Sequence, residues 1–270
     1  MKQISAILLA LLVTVTTAFA NDNALWQRST LNQIIKNGEL RVGLEPGFVP
    51  FEMLDKKGKV VGFDIDLAKL MAESMGVKLK VVKLDWNGIM PALLTNQCDI
   101  IISGMTITPE RNLWINFADS YMTVGQTVLI RKGLSTTIRS FEQLNSDKYT
   151  VATKPGTTAQ DAIKKFLPHA KVQLYDSESA AVDEVLAGRV DGFVYDYPVN
   201  AIYYARNQKS LQFLDSPFTH ERLGFGIRKG DPDFLNWLNN FLAQIKGDGT
   251  YDRLHTRWFK SRDWLKLLKK

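Results

Sequence analysis

Apolar and polar positions alternate along the first third of the chain in a way that predicts strands and helices following one another. Residues 40–43, Leu-Arg-Val-Gly, predict a strand, and residues 77–84 and 99–102 predict two more. Between these strands, residues 64–76 repeat apolar side chains at helical spacing, and residues 86–96 predict a second helix. Strands that alternate with helices indicate an α/β domain with a largely parallel sheet.

A polar, turn-rich stretch over residues 134–149 interrupts this series, and a second α/β series follows it. The second series repeats the alternation with three strands and three helices. The predicted strands cover residues 149–152, 171–175 and 190–194, and the predicted helices cover residues 158–166, 179–187 and 198–206.

After the second series, residues 223–228 predict a glycine-interrupted strand and residues 234–246 a long amphipathic helix. If these elements pack on the first unit, the chain crosses between the units twice, near residues 123–125 and 221–223. We therefore predict two lobes joined by a two-strand hinge, with a cleft between them that suits a small ligand. The predicted first lobe is discontinuous, residues 21–122 plus 224–270, and the predicted second lobe covers residues 126–220.

Residues 1–20 have the pattern of a cleavable signal peptide. An apolar run over residues 4–15 follows a basic start, and Ala18 and Ala20 supply the small residues of a cleavage site. No later segment approaches the roughly 20 apolar residues that a transmembrane helix needs. We expect an exported, periplasmic protein that begins near Asn21.

The composition limits which kinds of bond and binding site the chain can form. Cys98 is the single cysteine, so no intramolecular disulfide can form. The formal net charge is +6, and part of it lies in residues 260–270, where basic side chains alternate with Trp264 and leucines. This pattern predicts an amphipathic terminal helix with a solvated basic face, and it does not indicate nucleic-acid binding. The three histidines are widely separated, and we predict neither a metal site nor a cofactor.

Residues 103–111, Ser-Gly-Met-Thr-Ile-Thr-Pro-Glu-Arg, carry the most informative chemistry. Gly104 lets the backbone turn closely past a ligand, and we expect the loop to present free amides there. Thr108 is the expected N-cap of a helix with Pro109 at its first position. The planar guanidinium of Arg111 can hold a carboxylate through two parallel hydrogen bonds.

This segment closely resembles the amino-acid branch of the periplasmic solute-binding proteins (family 3), the extracytoplasmic receptors of ABC importers. The resemblance runs from about residue 40 to about residue 258. It implies a two-lobed, venus-flytrap fold, a free L-amino acid as ligand, and a membrane-embedded ABC permease as partner of a monomeric protein. It also implies that Ser103, Gly104, Thr106 and Arg111 bind the ligand's α-carboxylate and α-ammonium.

Three more places of the first lobe match the family pattern. Glu45 and Phe48 stand in the loop where the family has an acid and an aromatic ring, although several relatives carry Asp and Tyr there. Trp86 stands where the family has a ring that sandwiches the ligand with the one at Phe48, and such rings also attract a cation. Asp64 is expected to cap its helix, and the pattern also allows it to face the cleft.

Two places of the second lobe complete the expected site. Lys154, Thr157 and Thr158 belong to a second strand, glycine turn and helix start, where free amides favour an anion, so Thr158 can add to the carboxylate site. Asp196 follows an apolar strand, and carboxylates at such strand ends face the crevice of open α/β sheets. Asp196 is therefore the expected partner of the α-ammonium.

Counting charges predicts which amino acid is bound. Arg111 offsets the ligand's carboxylate and Asp196 its ammonium, which leaves Glu45 and Asp64 against Lys154. The remaining negative charge is costly to bury alone and favours lysine or arginine. Glutamine follows closely, because glutamine-binding relatives pair a lysine with the acid of the first loop. Acidic amino acids rank well below.

Two other functions fit the same fold. Cyclohexadienyl or arogenate dehydratases resemble this protein, but they place a carboxylic acid soon after the second-lobe aspartate, where this chain has Val199. The loaded protein could also signal to a chemoreceptor or sensor kinase, because such partners read the same closed shape. We expect a binding protein, not an enzyme.

Overall fold

A computed structural model describes residues 28–268 of the 270-residue chain. The signal peptide predicted over residues 1–20 lies outside this range. Within the described residues, no helix has the length and apolar character needed to cross a membrane.

The described strands are short and are numbered here in chain order. They are β1 Glu39–Leu44, β2 Met53–Leu54, β3 Val60–Val61, β4 Lys78–Lys83, β5 Ile100–Ile101, β6 Asn116–Phe117, β7 Met122–Val124, β8 Gln126–Arg131, β9 Thr150–Thr153, β10 Lys171–Leu174, β11 Gly192–Asp196, β12 Leu211–Leu214, β13 Glu221–Leu223 and β14 Gly226–Ile227.

The α-helices are interleaved with these strands. They are α1 Thr30–Asn37, α2 Phe63–Met75, α3 Trp86–Leu94, α4 Pro109–Asn112, α5 Thr158–Phe166, α6 Glu178–Leu186, α7 Tyr197–Arg206, α8 Pro232–Gly247 and α9 Thr250–His255.

Two five-stranded sheets organise the chain. The first has the order β4-β1-β5-β14-β6, with β1 parallel to both β4 and β5 and with β14 antiparallel. The second has the order β10-β9-β11-β8-β12, with β9 parallel to β10 and β11 and with β8 antiparallel to β11 and β12. Strand β14 thus returns the chain to the first sheet after the second sheet is complete.

The two crossings between the sheets pair with each other. Strands β7 and β13 are antiparallel, with Glu221 opposite Val124 and Leu223 opposite Met122. Directly after β7, Gly125 lies so close to the second crossing that a Cβ atom there would be 2.3 Å from the carbonyl oxygen of Thr219. This close approach brings both crossings together in one narrow connection.

A cluster of aromatic rings fixes one wall of the cleft. Phe51 stacks on Phe48, with ring centroids 4.5 Å apart, and meets Phe259 at 5.1 Å. Phe63 packs edge-on against both Phe51 and Phe259. The cluster therefore ties the cleft loop to helix α2 and to the C-terminal segment.

Most predicted elements are confirmed with ends shifted by one or two residues, but three predictions differ. Asp64 is not a cap, because α2 begins one residue earlier and Gly62 precedes it. The expected strand 223–228 is divided, since β13 belongs to the hinge pair and β14 to the first sheet. The expected terminal amphipathic helix is a 3-10 turn over Asp263–Leu267, which buries Trp264.

Replacement of Gly125 by alanine tests the close approach of the two crossings. We expect Gly125→Ala to lower the free energy of unfolding by roughly 1–3 kcal/mol, because the new methyl group must push backbone atoms apart. Gly247→Ala is the matched control: nothing lies within 4 Å of its Cβ position at the end of α8. The control is expected to gain about 0.4–1 kcal/mol. Urea denaturation measures both, and equal stabilities for the two variants would contradict the predicted crowding.

Candidate functional site

The site is built from the carboxyl ends of strands of both sheets. A narrow cavity of about 20 Å³ lies between the lobes, so side chains of the two lobes nearly fill the site. Of the predicted residues, those that line it are Glu45, Phe48, Trp86, Ser103, Gly104, Thr106, Arg111, Thr157, Thr158 and Asp196. Glu178 and Tyr195 line it as well and were not predicted.

The start of helix α4 has the predicted capping geometry. The Thr108 hydroxyl accepts a hydrogen bond from the Arg111 backbone N–H, and Pro109 occupies the first turn. The Arg111 guanidinium donates to the Thr106 carbonyl at 2.9 Å and to the Gly156 carbonyl at 3.4 Å. Helix α4 thus directs this cation into the cleft, where it contacts the opposite lobe.

Trp86 and Phe48 line the cavity with different partners. The Trp86 indole N–H donates to the Gly156 carbonyl at 2.9 Å, and its ring lies 5.3 Å from the Arg111 guanidinium carbon. Phe48 stacks on Phe51, as described above, and occupies the space beside Gly104. An alanine Cβ at Gly104 would lie 2.1 Å from the Phe48 ring, and φ is +53° there, so only glycine fits.

Lys154 lies behind the cavity lining and is almost fully buried. Its ammonium forms ion pairs with Glu45 of the first lobe and, at 3.3 Å, with Glu178 of the second. The Tyr195 hydroxyl also donates to Glu178, at 2.7 Å. Burial raises the pKa of Glu45, and the Lys154 ammonium opposes that rise. One end of the cavity therefore has two carboxylates and one ammonium.

Asp64 does not line the cavity but supports its floor. Its carboxylate accepts hydrogen bonds from the Gly104 backbone N–H at 2.9 Å and from the Tyr121 hydroxyl at 3.0 Å. The Gly104 amide is therefore not free, contrary to the expectation from the sequence. Helix α2 begins one residue earlier than predicted, so Asp64 sits in its first turn and points at the binding loop.

Ser103 is held from the same side by an unpredicted residue. Its hydroxyl donates to Glu52 at 2.5 Å and accepts from the Glu45 backbone N–H at 3.1 Å. Glu52 and Asp64 are both fully buried, and in each carboxyl group one of the two oxygens has no hydrogen-bond partner among the described residues. Burial raises the pKa of Asp64 to about 7, and burial followed by the Asp64 charge raises that of Glu52 well above 4.5. Each of these two carboxyl groups therefore loses its proton at a higher pH than an exposed one.

The second lobe contributes from helix starts and a strand end. The Thr157 hydroxyl donates to the Lys154 carbonyl at 2.7 Å at the start of α5. The Thr158 hydroxyl faces that of Thr106 across the lobes at 3.4 Å. Asp196 ends β11 and accepts from the Gln126 side-chain amide at 2.7 Å. Burial first, and then the charge of Glu221, raises the pKa of Asp196 well above its ordinary value.

Besides Tyr121 and Tyr195, four polar residues of the site were missed by the sequence analysis: Glu52, Gln126, Glu178 and Glu221. Glu178 follows the N-cap Ser177, where an acidic residue is normally explained by the helix dipole. Its burial, its place in the cavity lining and its ion pair with Lys154 mark it as part of the cleft. In residues 28–268 no cluster of three or more His, Cys, Asp or Glu side chains could hold a metal ion.

The buried carboxyl pair predicts a pH-dependent stability. Both folded-state pKa values are raised, so the unfolded chain releases these protons first and stability falls as the pH rises from about 4 toward 7 and beyond. Glu52→Gln keeps the shape and removes one of these protons. We expect the free energy of unfolding of this variant, relative to that of the wild type, to increase by about 1–3 kcal/mol as the pH rises from about 5 to about 8.

Urea denaturation at these two pH values measures this difference, and the exposed substitution Glu73→Gln is the control. Parallel pH profiles of wild type and Glu52→Gln would refute the prediction.

Comparisons with known proteins agree with this geometry. The model of the bacterial extracellular solute-binding proteins, family 3, matches residues 40–261. The chain is 54% identical to the lysine-complexed binding component of an ABC transporter from Wolinella succinogenes, with a TM-score of 0.83 over 85% of this chain and 99% of that one. A relative from Neisseria gonorrhoeae that is named as a histidine-binding protein is 34% identical over 224 residues, which cover 81% of this chain and 82% of the relative.

The structural neighbours include a protein related to the dehydratase alternative. An ancestral amino acid-binding protein, described as a precursor of cyclohexadienyl dehydratase, is 51% identical with a TM-score of 0.81 over 86% of this chain and all of that one. The named relatives are binding proteins for ligands that also include cystine, arginine and glutamine. The predicted fold and the non-enzymatic role are therefore confirmed. The protein belongs to the bacterial extracellular solute-binding proteins, family 3, and is a solute-binding protein of the ABC amino-acid importers.

Proposed function

We propose that this protein binds a basic L-amino acid, lysine or arginine, in the cleft between its lobes. In this proposal it acts as a periplasmic monomer that delivers the ligand to an ABC permease. Relatives named as ABC transporter binding proteins support the delivery role. The lysine-complexed neighbour supports the ligand class.

The observation that carries the ligand class is the arrangement around Lys154. Its single ammonium forms ion pairs with the carboxylates of both Glu45 and Glu178, which leaves one negative charge without a counter-ion at this end of the cavity. A buried, unpaired charge is costly, so a ligand that brings a cation stabilises the closed cleft. The excess carboxylate that the sequence assigned to Asp64 is thus supplied by Glu178.

The other end of the cavity suits the groups that all amino acids share. The Arg111 guanidinium donates only to carbonyl oxygens and has no carboxylate within 4.0 Å in residues 28–268. Burial lowers its pKa, and an anion from the ligand would offset that effect. Asp196 lines the same cavity and would receive the α-ammonium. A zwitterion therefore finds a partner for each charge.

Glutamine is the second candidate, and the ion pair between Lys154 and Glu45 favours it. A paired ammonium and carboxylate presents both a donor and an acceptor, which is what a side-chain amide needs. We rank glutamine second because Glu178 makes the pair a triad with an excess negative charge.

Replacement of Glu178 by glutamine distinguishes the two ligand classes. The wild type is expected to bind lysine and arginine more tightly than glutamine, and glutamate least. Glu178→Gln removes the excess charge, so lysine affinity should fall about tenfold or more, the 1.4 kcal/mol or more expected for a buried charge pair. Glutamine affinity should stay within roughly threefold, because the neutral side chain of glutamine does not pair with the charge that is removed. Titration calorimetry of ligand-stripped protein measures these affinities.

Asp183→Asn, an exposed substitution on the same helix, is the matched control and should bind like the wild type. Tighter wild-type binding of glutamine than of lysine would contradict the proposal. Heat with glutamate alone would contradict it as well, because that ligand adds a negative charge.

A further inference from the structure

The hinge strand β13 is attached directly to the predicted binding segment. The Ile107 N–H donates to the Arg222 carbonyl at 2.8 Å, and the Gly224 N–H donates to the Met105 carbonyl at 3.0 Å. Thr106 lies opposite Leu223 in this extra pairing. A residue of β13 is therefore fixed relative to both the hinge and the ligand-binding loop.

Glu221, the first residue of β13, has a carboxylate surrounded by neutral donors. Its Oε2 atom accepts from the Thr106 hydroxyl at 3.0 Å and from the Thr158 hydroxyl at 2.6 Å. Its Oε1 atom accepts from the Thr219 hydroxyl at 2.8 Å and from the Gln126 amide at 3.0 Å. The residue is only 7% exposed and does not line the cavity.

The charge of Glu221 has no direct counter-ion. No Lys, Arg or His side chain of residues 28–268 lies within 4.0 Å of its carboxylate. The Gln126 amide bridges Glu221 to Asp196, so one carboxylate lines the cavity and a second lies behind it. This negative region favours a cation in the adjacent cleft.

The hydrogen bonds to Glu221 also determine whether the Thr106 and Thr158 hydroxyls act as donors or as acceptors toward a ligand. A hydroxyl has one hydrogen and two lone pairs. Because Thr106 and Thr158 both donate their hydrogen to Glu221, each presents a lone pair to other partners. Both residues line the cavity together with Asp196. The two threonine hydroxyl oxygens and the Asp196 carboxylate make a set of three acceptor groups, which suits an ammonium group with its three N–H donors.

The same oxygen of Glu221 contacts threonines of opposite lobes. Thr106 follows strand β5 of the first sheet, and Thr158 begins helix α5 beside the second sheet. A rotation of the lobes about β7 and β13 would move one threonine away from the other. The acceptor set is therefore complete only when the cleft is closed.

We propose that Glu221 is a positioning residue for the ligand's α-ammonium: it orients the Thr106 and Thr158 hydroxyls as acceptors and completes this set only on closure. The proposal rests on the proposed function, because it needs an α-amino acid in the cleft. It differs from the role of Glu178, since all L-amino acids share the α-ammonium. Loss of Glu221 should weaken different amino acids by the same factor.

A mutant cycle tests whether Glu221 acts through the two hydroxyls. Glu221→Gln should weaken L-lysine and L-glutamine alike by about tenfold or more, because the hydroxyls are no longer held as acceptors by a charge. In a Thr106→Val and Thr158→Val background the same substitution should cost less than roughly threefold, since the hydroxyls are already gone. Titration calorimetry measures all four proteins, and exposed Glu142→Gln is the control. Urea denaturation checks that each variant is folded.

Three outcomes would overturn the proposal: unchanged affinity in Glu221→Gln, a loss for lysine that differs more than roughly threefold from the loss for glutamine, or an equal loss in both backgrounds. If Glu221→Gln does not fold, Glu221→Asp replaces it, because the shorter side chain keeps the charge but cannot reach both hydroxyls. That variant should show the same uniform loss, and wild-type affinity in it would overturn the proposal. Failure of the wild type to bind either amino acid would instead overturn the proposed function.

Discussion

The ammonium of Lys154, buried between Glu45 of one lobe and Glu178 of the other, is the interaction on which the ligand-binding end of the cleft depends. Charges taken out of water need partners, so every ionised group near this cavity constrains its neighbours. One cation cannot neutralise two carboxylates, and in the proposed function this excess charge is the reason for a preference for a cationic ligand. The same contacts cross between the lobes, so ligand selection and closure involve the same atoms.

The fold allows the same contacts to act in ligand binding and in closure, because the binding elements are joined to the hinge. The loop after β5 pairs with β13, and β13 pairs with β7. Behind the loop, Asp64 holds the Gly104 amide and Glu52 holds the Ser103 hydroxyl. A ligand that contacts this loop therefore acts on a backbone that continues directly into the connection between the lobes. Closure stabilised in this way follows from differential binding to the closed state.

Periodicity was sufficient to predict most strands and helices, because their apolar faces repeat at regular intervals. Family resemblance placed ten of the twelve expected residues around one cavity. What could not be predicted was burial of isolated acids: Glu178 has the pattern of an ordinary helix start, and Glu221 stands between His220 and Arg222 in a polar stretch. Asp64 was misassigned because a cap and a first-turn acid differ by one residue in the start of α2. These distinctions depend on tertiary contacts that a single sequence does not display.

In the proposed function, one uncompensated negative charge at the Lys154 end of the cavity selects a cationic side chain. The most direct measurement is native mass spectrometry of ligand-stripped protein with an equimolar mixture of L-lysine and L-norleucine, which has the same carbon chain without the terminal ammonium. We expect the lysine complex to exceed the norleucine complex by about tenfold or more, because only lysine supplies the missing charge. Equal populations of the two complexes, or an excess of the norleucine complex, would contradict this claim.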